Sequence, residues 1–116
     1  MVKGNVLKSL ESLDLSQNCF RAAGAKIIAE VILKNNTTLK HLNIYSNLIE
    51  VEGCGFICSA LETNTTLEFL DIGKNKIRNK GVTQLFHSVC GNQNSALTTI
   101  GTRKNTFDDK GIHNII

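Results

Sequence analysis

A repeat with a period of 28 to 30 residues constrains this chain more than any other feature of its sequence. Leucines, asparagines and glycines recur at spacings of 29, 28 and 30 residues, and the three series keep one register. The series are Leu10, Leu39, Leu67 and Leu97; Asn18, Asn47, Asn75 and Asn105; and Gly24, Gly53, Gly81 and Gly111. Four units that share three such series indicate a repeat protein, in which each unit buries its apolar face against its neighbours.

Each unit begins as a predicted short strand and continues as a predicted helix. In the first unit, Leu13 and Leu15 alternate with polar residues, which is the period expected of a strand with one buried face. The equivalent pairs are Leu42 with Ile44 and Leu70 with Ile72. After the asparagine, the period changes to that of an amphipathic helix. The predicted apolar stripes are Ala25, Ile28, Ala29 and Ile32; Cys54, Ile57, Cys58 and Leu61; and Val82, Leu85, Phe86 and Val89.

Two sets of asparagines are predicted to have structural roles. Asn18, Asn47, Asn75 and Asn105 follow the strands, where a buried amide can satisfy backbone groups that the turn leaves unpaired. Other asparagines end the predicted helices, and asparagine tolerates the left-handed conformation common at helix ends. These are Asn35, Asn36, Asn64 and the residues from Asn92 to Asn94.

The pattern Leu-x-x-Leu-x-Leu/Ile-x-x-Asn over residues 10–116 resembles the leucine-rich repeats of the ribonuclease-inhibitor-like type. The resemblance implies an α/β solenoid with parallel strands on a concave face and helices on a convex face. It implies a single domain, 1–116, with repeats at about 10–38, 39–66, 67–96 and 97–116. Thr102 replaces an apolar strand residue, and Ile115–Ile116 is expected to end the chain inside a fourth helix. We therefore expect a fragment, a truncated relative, or a subunit whose open ends pack on other chains.

The composition is that of an ordinary globular domain, with 116 residues, 41% hydrophobic residues, 20% charged residues and a net charge of +3. Such hydrophobicity argues against a disordered chain. No apolar run has the length of a membrane-spanning helix, so no membrane partner is expected. No signal peptide follows Met1, and we expect four free thiols, which together predict a cytoplasmic protein.

Alternation along the strands assigns a set of side chains to the concave face. Because parallel neighbours lie about 4.8 Å apart, His41 is predicted to lie beside Phe69. Tyr45 is predicted to lie beside Gly73, whose small size leaves the ring accessible. Exposed aromatic residues are enriched in interface hot spots, so we predict a site for a protein partner; the alternative is a solvated sheet. The predicted contacts are His41, Tyr45, Phe69, Asp71, Asp14, Asn43 and Arg103.

A second candidate surface is the basic rim, a cluster of cations in the third and fourth strand-to-helix turns. It consists of Lys74, Lys76, Arg78, Lys80 and Lys104. The rim could attract an acidic protein surface or phosphate, and the alternative is a solvated loop. No aromatic residue interleaves with these cations to stack bases, which argues against nucleic acid. Ran GTPase-activating proteins share the resembled subfamily, so Arg78 or Arg103 could act on a small GTPase.

No motif predicts catalysis, a cofactor or a small-molecule substrate. The three histidines occupy unrelated repeat positions, and the sequence has no metalloprotease or serine-hydrolase motif. Cys54 and Cys58 lie in a core stripe while His87 and Cys90 point elsewhere, so no metal site is expected. The predicted function is a non-enzymatic protein–protein interaction module within a larger protein or assembly. Regulation of a small GTPase and a purely architectural role are the alternatives.

Overall fold

The structure, a computed structural model, describes residues 9–106 and 112–114. The first three units each form a three-residue strand followed by a helix. The elements are β1 (Ser12–Asp14), α1 (Arg21–Ile27, continued by a π-helical segment Ile28–Leu33), β2 (His41–Asn43), α2 (Glu50–Leu61), β3 (Phe69–Asp71), α3 (Arg78–Cys90), β4 (Thr99–Gly101) and β5 (Ile112–Asn114). None of the helices in the described ranges is long and apolar enough to cross a membrane.

Strands β1 to β4 form a parallel sheet in chain order. Their register joins equivalent repeat positions, as in the pairing of Leu13 with Leu42 and of Leu42 with Leu70. Because every unit returns to the same position in the next strand, the helices lie side by side as a second layer. The fold is therefore the predicted α/β solenoid, with strands on the concave face and helices on the convex face.

The core lies between the two layers and follows the predicted stripes closely. Leu42, Leu70 and Ile100 are completely buried, and so is Thr102, which follows β4. The stripe of α2 is buried along its whole length. The stripe of α1 changes at its end, where Leu33 is buried and Ile32 is only partly covered. The π-helical segment explains the change, because a wider turn places residues five apart on one side.

Buried asparagines join each unit to the next at the end of the strand. The side-chain amide of Asn75 donates to three carbonyl oxygens at 2.9–3.0 Å, those of Ile44, Ile72 and Gly73. Its Oδ1 accepts the backbone N–H of Asn47 at 2.8 Å. Equivalent bonds of 2.7 Å run from the N–H of Asn18 to Asn47 and from the N–H of Asn75 to Asn105. One side chain thus satisfies backbone groups in two neighbouring units.

The prediction that the helix-end asparagines are left-handed is wrong, because none of them has a positive φ. Instead, their side chains form a second row of hydrogen bonds between neighbouring units. The amide of Asn64 donates to the carbonyl of Leu33 at 2.8 Å, and its Oδ1 accepts the N–H of Leu67 at 2.8 Å. Asn92 donates to the carbonyl of Asn64 at 2.8 Å. Asparagines therefore connect neighbouring units at both ends of the strand layer.

The left-handed residues lie in the strand-to-helix turns, at alternate positions. They are Gln17, Cys19 and Arg21; Ser46, Leu48 and Glu50; Lys74, Lys76 and Arg78; and Lys104. This conformation costs a non-glycine residue about 1 kcal/mol. Hydrogen bonds to the next unit offset the cost, since Ser46 N–H donates to Gly73 and Glu50 N–H donates to Asn75, at 2.9 and 2.7 Å.

The fourth unit differs from the expected strand and helix. Ile112–Asn114 forms a strand, β5, antiparallel to β4. Ten residues, 102–111, separate the two strands, fewer than the dozen or so that a parallel crossover needs. An antiparallel return satisfies backbone groups at the outer edge of β4. Phe107, Gly111 and Ile115–Ile116, on which the predicted fourth unit depends, lie outside the described residues.

We predict that Asn47→Ala lowers the free energy of unfolding by about 3 kcal/mol, because it leaves buried backbone groups of two units unpaired. Urea unfolding followed by circular dichroism measures this loss. The matched control is Asn18→Ala, since Asn18 is exposed and its amide bonds only within its own unit, at 2.9 and 3.0 Å. We expect the control to lose about 1 kcal/mol or less; equal losses would contradict a joint between units.

Candidate functional site

The concave face consists of three rows of side chains that cross the sheet at equivalent repeat positions. The first row is Ser12, His41, Phe69 and Thr99, and the second is Asp14, Asn43, Asp71 and Gly101. The third row lies just beyond the strands and is Ser16, Tyr45, Gly73 and Arg103. Backbone bonds continue the register there, as from Lys74 N–H to the carbonyl of Arg103 at 2.7 Å. The predicted contact residues therefore share one surface.

His41 and Phe69 form an aromatic pair in the first row. They are direct partners in the register of β2 and β3. Their ring centroids are 6.0 Å apart and the ring planes are inclined at 57°, a separation at which aromatic rings attract each other. His41 is exposed and Phe69 is half-buried. The pair therefore presents an aromatic surface in which the two rings are packed against each other.

Tyr45 lies on Gly73 rather than simply beside it. A Cβ atom on Gly73 would lie 2.8 Å from Cδ2 of the tyrosine and 2.9 Å from the carbonyl oxygen of Arg103. Only glycine leaves room for the ring at this position. Tyr45 is half-buried as a result, so the expectation that Gly73 leaves the whole ring accessible is corrected to a ring with one supported face.

The second row has a structural role that sequence reasoning missed. Oδ1 of Asp14, Asn43 and Asp71 accepts a backbone N–H two residues further on. The distances are 2.9 Å to Ser16, 3.0 Å to Tyr45 and 2.9 Å to Gly73. The signal was an aspartate or asparagine at the end of each of three strands, since these residues favour such turns. One oxygen of each of these three side chains therefore supports the backbone at the end of its own strand.

Asp14 is the fully exposed carboxylate of this row. The Ser16 hydroxyl and the Ser16 backbone N–H both bond to it and hold its pKa below the ordinary aspartate value. The carboxylate is therefore charged at neutral pH, at the N-terminal edge of the row.

The basic rim is exposed throughout. Lys74, Lys76, Arg78, Lys80 and Lys104 are all solvent-accessible, and none forms an ion pair within residues 9–106. Lys74, Lys76 and Arg78 point outward because left-handed residues alternate with buried ones, Asn75 and Ile77, in this turn. Arg103 is also exposed and links the concave face to the rim. The neighbouring turn carries Glu50 and Glu52, both exposed.

The cysteines do not assemble a metal site among the described residues. Cys54 and Cys58 are buried in α2 with their sulfur atoms 3.9 Å apart. The hydrogen bond with Cys58, together with burial, raises the pKa of the Cys54 thiol. His87 and Cys90 are exposed on α3 and do not join this pair. The two buried thiols act as small core side chains.

A depression of about 230 Å³ lies on the helical side of the molecule, away from the concave face. It is lined by Glu62, Thr83, Gln84, His87 and Ser88. Ligand sites are mostly lined by apolar and aromatic side chains, and none of these five residues has an aliphatic hydrocarbon side chain.

Parallel strands one unit apart, a layer of helices behind them and asparagine joints between units define a repeat protein that presents an open sheet face. Residues 6–29, 35–58 and 63–86 match the leucine-rich repeat family, described as "Leucine Rich repeat". The chain belongs to the leucine-rich repeat family, as predicted. Its strand-and-helix units are consistent with the ribonuclease-inhibitor-like subfamily, and membership supports a protein–protein interaction module.

A human protein and a nematode protein structure are among the known proteins similar to this chain. The human protein "NACHT, LRR and PYD domains-containing protein 13" is 33% identical over 97 residues, which cover 84% of this chain and 9% of that protein. The solved "tropomodulin C-terminal domain" of Caenorhabditis elegans matches with a TM-score of 0.73. That match has 14% identity and covers 90% of this chain and 63% of the other, so it supports the fold alone.

We predict that Asp71→Ala lowers the free energy of unfolding by about 1 kcal/mol, because the Gly73 N–H loses its acceptor. Asp71→Asn removes the charge but keeps the acceptor, as Asn43 already does in the preceding unit. We therefore expect Asp71→Asn to remain within about 0.5 kcal/mol of the parent. Urea unfolding of both variants tests this. Equal losses would show that charge, rather than the turn, is what Asp71 contributes to stability.

Proposed function

We propose that this chain is a protein-interaction module whose concave face binds a segment of a partner protein. The observation that carries the proposal is the supported aromatic surface: the His41–Phe69 pair at 6.0 Å and the Tyr45 ring resting on Gly73. Aromatic residues held in place lose little conformational freedom on binding. They are also the side chains that most often dominate binding energy.

The rows of the concave face favour a partner with an ordered set of groups. An apolar side chain of the partner would pack on Phe69 and His41. A hydrogen-bond donor or cation would reach the carboxylates of Asp14 and Asp71. An acidic group would lie near Arg103, where the concave face meets the basic rim. Such electrostatic complementarity contributes mainly to specificity and orientation.

Location in the cytoplasm is part of the same proposal. All four cysteines are free, and Cys54 and Cys58 have neighbouring thiols that are not joined in a disulfide. A reducing compartment preserves this state. The proposed function involves no cofactor, no small-molecule substrate, no membrane partner and no nucleic acid.

We predict that Tyr45→Ala/Phe69→Ala abolishes capture of the partner. The parent chain and the double variant serve as baits in a native lysate, with matched circular dichroism spectra as the folding check. Once the captured protein is identified, its affinity should fall at least roughly 30-fold, as for a hot-spot loss of about 2 kcal/mol. Calorimetric titration with the purified partner measures the change.

The matched control for this experiment is Phe56→Ala. Phe56 is also a half-buried aromatic residue, but it lies on α2 beneath Lys26, away from the concave face. The control should capture the same partner with unchanged affinity. Equal binding by the parent and by the Tyr45→Ala/Phe69→Ala variant would remove the concave face as the site.

The second candidate function is regulation of a small GTPase through the basic rim. It is supported by exposed Arg78, which forms no ion pair within residues 9–106 and could enter the nucleotide site of a partner. Exposed Glu50 and Glu52 on the adjacent turn weaken the positive potential there, which makes this candidate the lesser of the two.

We predict for this candidate that the parent accelerates GTP hydrolysis by Ran and that Arg78→Ala loses the acceleration, by a factor of about 1,000 or more for an arginine supplied in trans. Phosphate release under single-turnover conditions measures the rate. The matched control is Arg21→Ala, because Arg21 is exposed at the equivalent position of the first unit with the same φ of 62°. A parent chain that leaves the rate unchanged would exclude this function for Ran.

A further inference from the structure

Asp71 lies between two aromatic rings on the concave face. Phe69 comes two residues before it on β3, and the Tyr45 ring covers Gly73, which comes two residues after it. Residues that share one side of a strand are about 7 Å apart along it, so each ring lies roughly one such step from the carboxylate. We call Tyr45, Phe69 and Asp71 the central cluster.

The neighbouring strand, β4, places no side chain against Asp71 at the paired position. Gly101 is the register partner of Asp71, and a Cβ atom there would lie 3.2 Å from Oδ1 of the carboxylate. Such a separation is shorter than an ordinary van der Waals contact, so a larger residue would press against the carboxylate. The glycine therefore leaves the β4 side of Asp71 to a group from outside the sheet.

The Asp71 carboxylate is oriented and retains capacity to accept hydrogen bonds. Its Oδ1 accepts the Gly73 N–H at 2.9 Å, which holds the side chain in place. A carboxylate has about four acceptor positions and can accept two N–H groups of one guanidinium. Among the described residues, no lysine or arginine forms an ion pair with Asp71. A cation from a partner would therefore meet a charge that the chain itself does not neutralise by direct contact.

Asp14, the other carboxylate of this row, has different neighbours. The residues two before it and two after it are Ser12 and Ser16, so no ring lies beside it on its own strand. The backbone N–H and the hydroxyl of Ser16 both bond to it. Asp14 is therefore a solvated carboxylate, whereas Asp71 combines its charge with two aromatic neighbours.

We propose that the central cluster binds an arginine side chain of the partner, an inference that rests on the proposed function. The guanidinium donates two parallel N–H groups to the Asp71 carboxylate. Its plane and its hydrocarbon stem lie between the Phe69 and Tyr45 rings, because arginine stacks on aromatic faces. Lysine fits less well, since its ammonium is strongly hydrated and lacks the planar fork.

The surrounding charges favour a partner segment with one arginine beside an acidic residue. Arg103 follows Gly101 by two residues, so it lies about 7 Å further along β4, and it is exposed. Lys74 and Lys104 of the basic rim are exposed close to it in the two turns. These cations would repel a polybasic segment, whereas a carboxylate next to the bound arginine would pair with Arg103.

The test titrates the chain with Nα-acetyl-arginine amide and follows the backbone amide resonances of Gly73 and Gly101 by NMR. Nα-acetyl-citrulline amide is the neutral probe of nearly the same shape, and Nα-acetyl-lysine amide keeps the charge without the fork. We expect saturable shifts with the arginine probe and binding at least about tenfold tighter than that of the citrulline probe. The lysine probe should also bind more weakly than arginine. Equal binding of either control probe, or no saturable shift with arginine, would overturn the proposal.

Variants of the chain test which carboxylate is responsible. Asp71→Asn removes the charge but keeps the acceptor for the Gly73 N–H, so the arginine probe should bind at least about tenfold more weakly to a folded protein. Glu52→Gln is the matched control, because it removes one exposed charge on α2, and it should bind like the parent. Asp14→Asn should weaken binding by about twofold or less, as for an exposed charge. Equal losses in the Asp71 and Asp14 variants would show general attraction to negative charge and overturn the proposal.

The captured partner separates this inference from the proposed function. Where Tyr45→Ala/Phe69→Ala loses the partner, Asp71→Asn should also lower its affinity, by at least about tenfold. Loss with the double variant but not with Asp71→Asn would keep the concave face as the site and overturn the bound arginine. Equal capture by the parent and the double variant would remove the proposed function, and this inference with it.

Discussion

The hydrogen bonds of the buried asparagines are the constraint on which the rest of the structure depends. Asn47, Asn75 and Asn105 each receive an N–H from the preceding unit and return a side-chain N–H to its carbonyl oxygen. Asn64 makes the same kind of link where the helix returns to the strand. Asparagines thus form hydrogen bonds to the neighbouring unit both before and after the strands. These bonds fix the register between strands, so equivalent residues lie side by side.

This register brings equivalent positions of the repeated sequence together in ordered rows of side chains. His41 meets Phe69 because their strands pair at equivalent positions, and Tyr45 meets Gly73 for the same reason. The backbone N–H and C=O groups of the sheet form hydrogen bonds with neighbouring units and with the buried asparagines. Others donate to Oδ1 of Asp14, Asn43 and Asp71 at the strand ends. His41, Phe69 and Tyr45 are thus held in position by their neighbours, and in the proposed function this lowers the entropic cost of binding.

Periodicity was sufficient to predict the strands, the helices, the register and most of the core, because in a solenoid each of these follows from one repeated local pattern. Periodicity could not predict that Leu33 rather than Ile32 is buried. The predicted stripe was drawn for a regular α-helix, whereas residues Ile28–Leu33 form a π-helical segment with more residues per turn. Periodicity also missed the hydrogen bond from the Gly73 N–H to Oδ1 of Asp71. The alternation of residues along a strand predicts the side of the sheet on which a side chain lies, but not its hydrogen bonds. The return of Ile112–Asn114 as a strand depends on the open edge of β4, which is a tertiary feature.

The direction in which the units stack is perpendicular to the direction in which the concave side chains project. Units add along the sheet through backbone hydrogen bonds and helix contacts, while the concave side chains project out of the sheet. Side chains of the concave rows can therefore differ from unit to unit, as Ser12, His41, Phe69 and Thr99 do, while the strands that carry them keep one register.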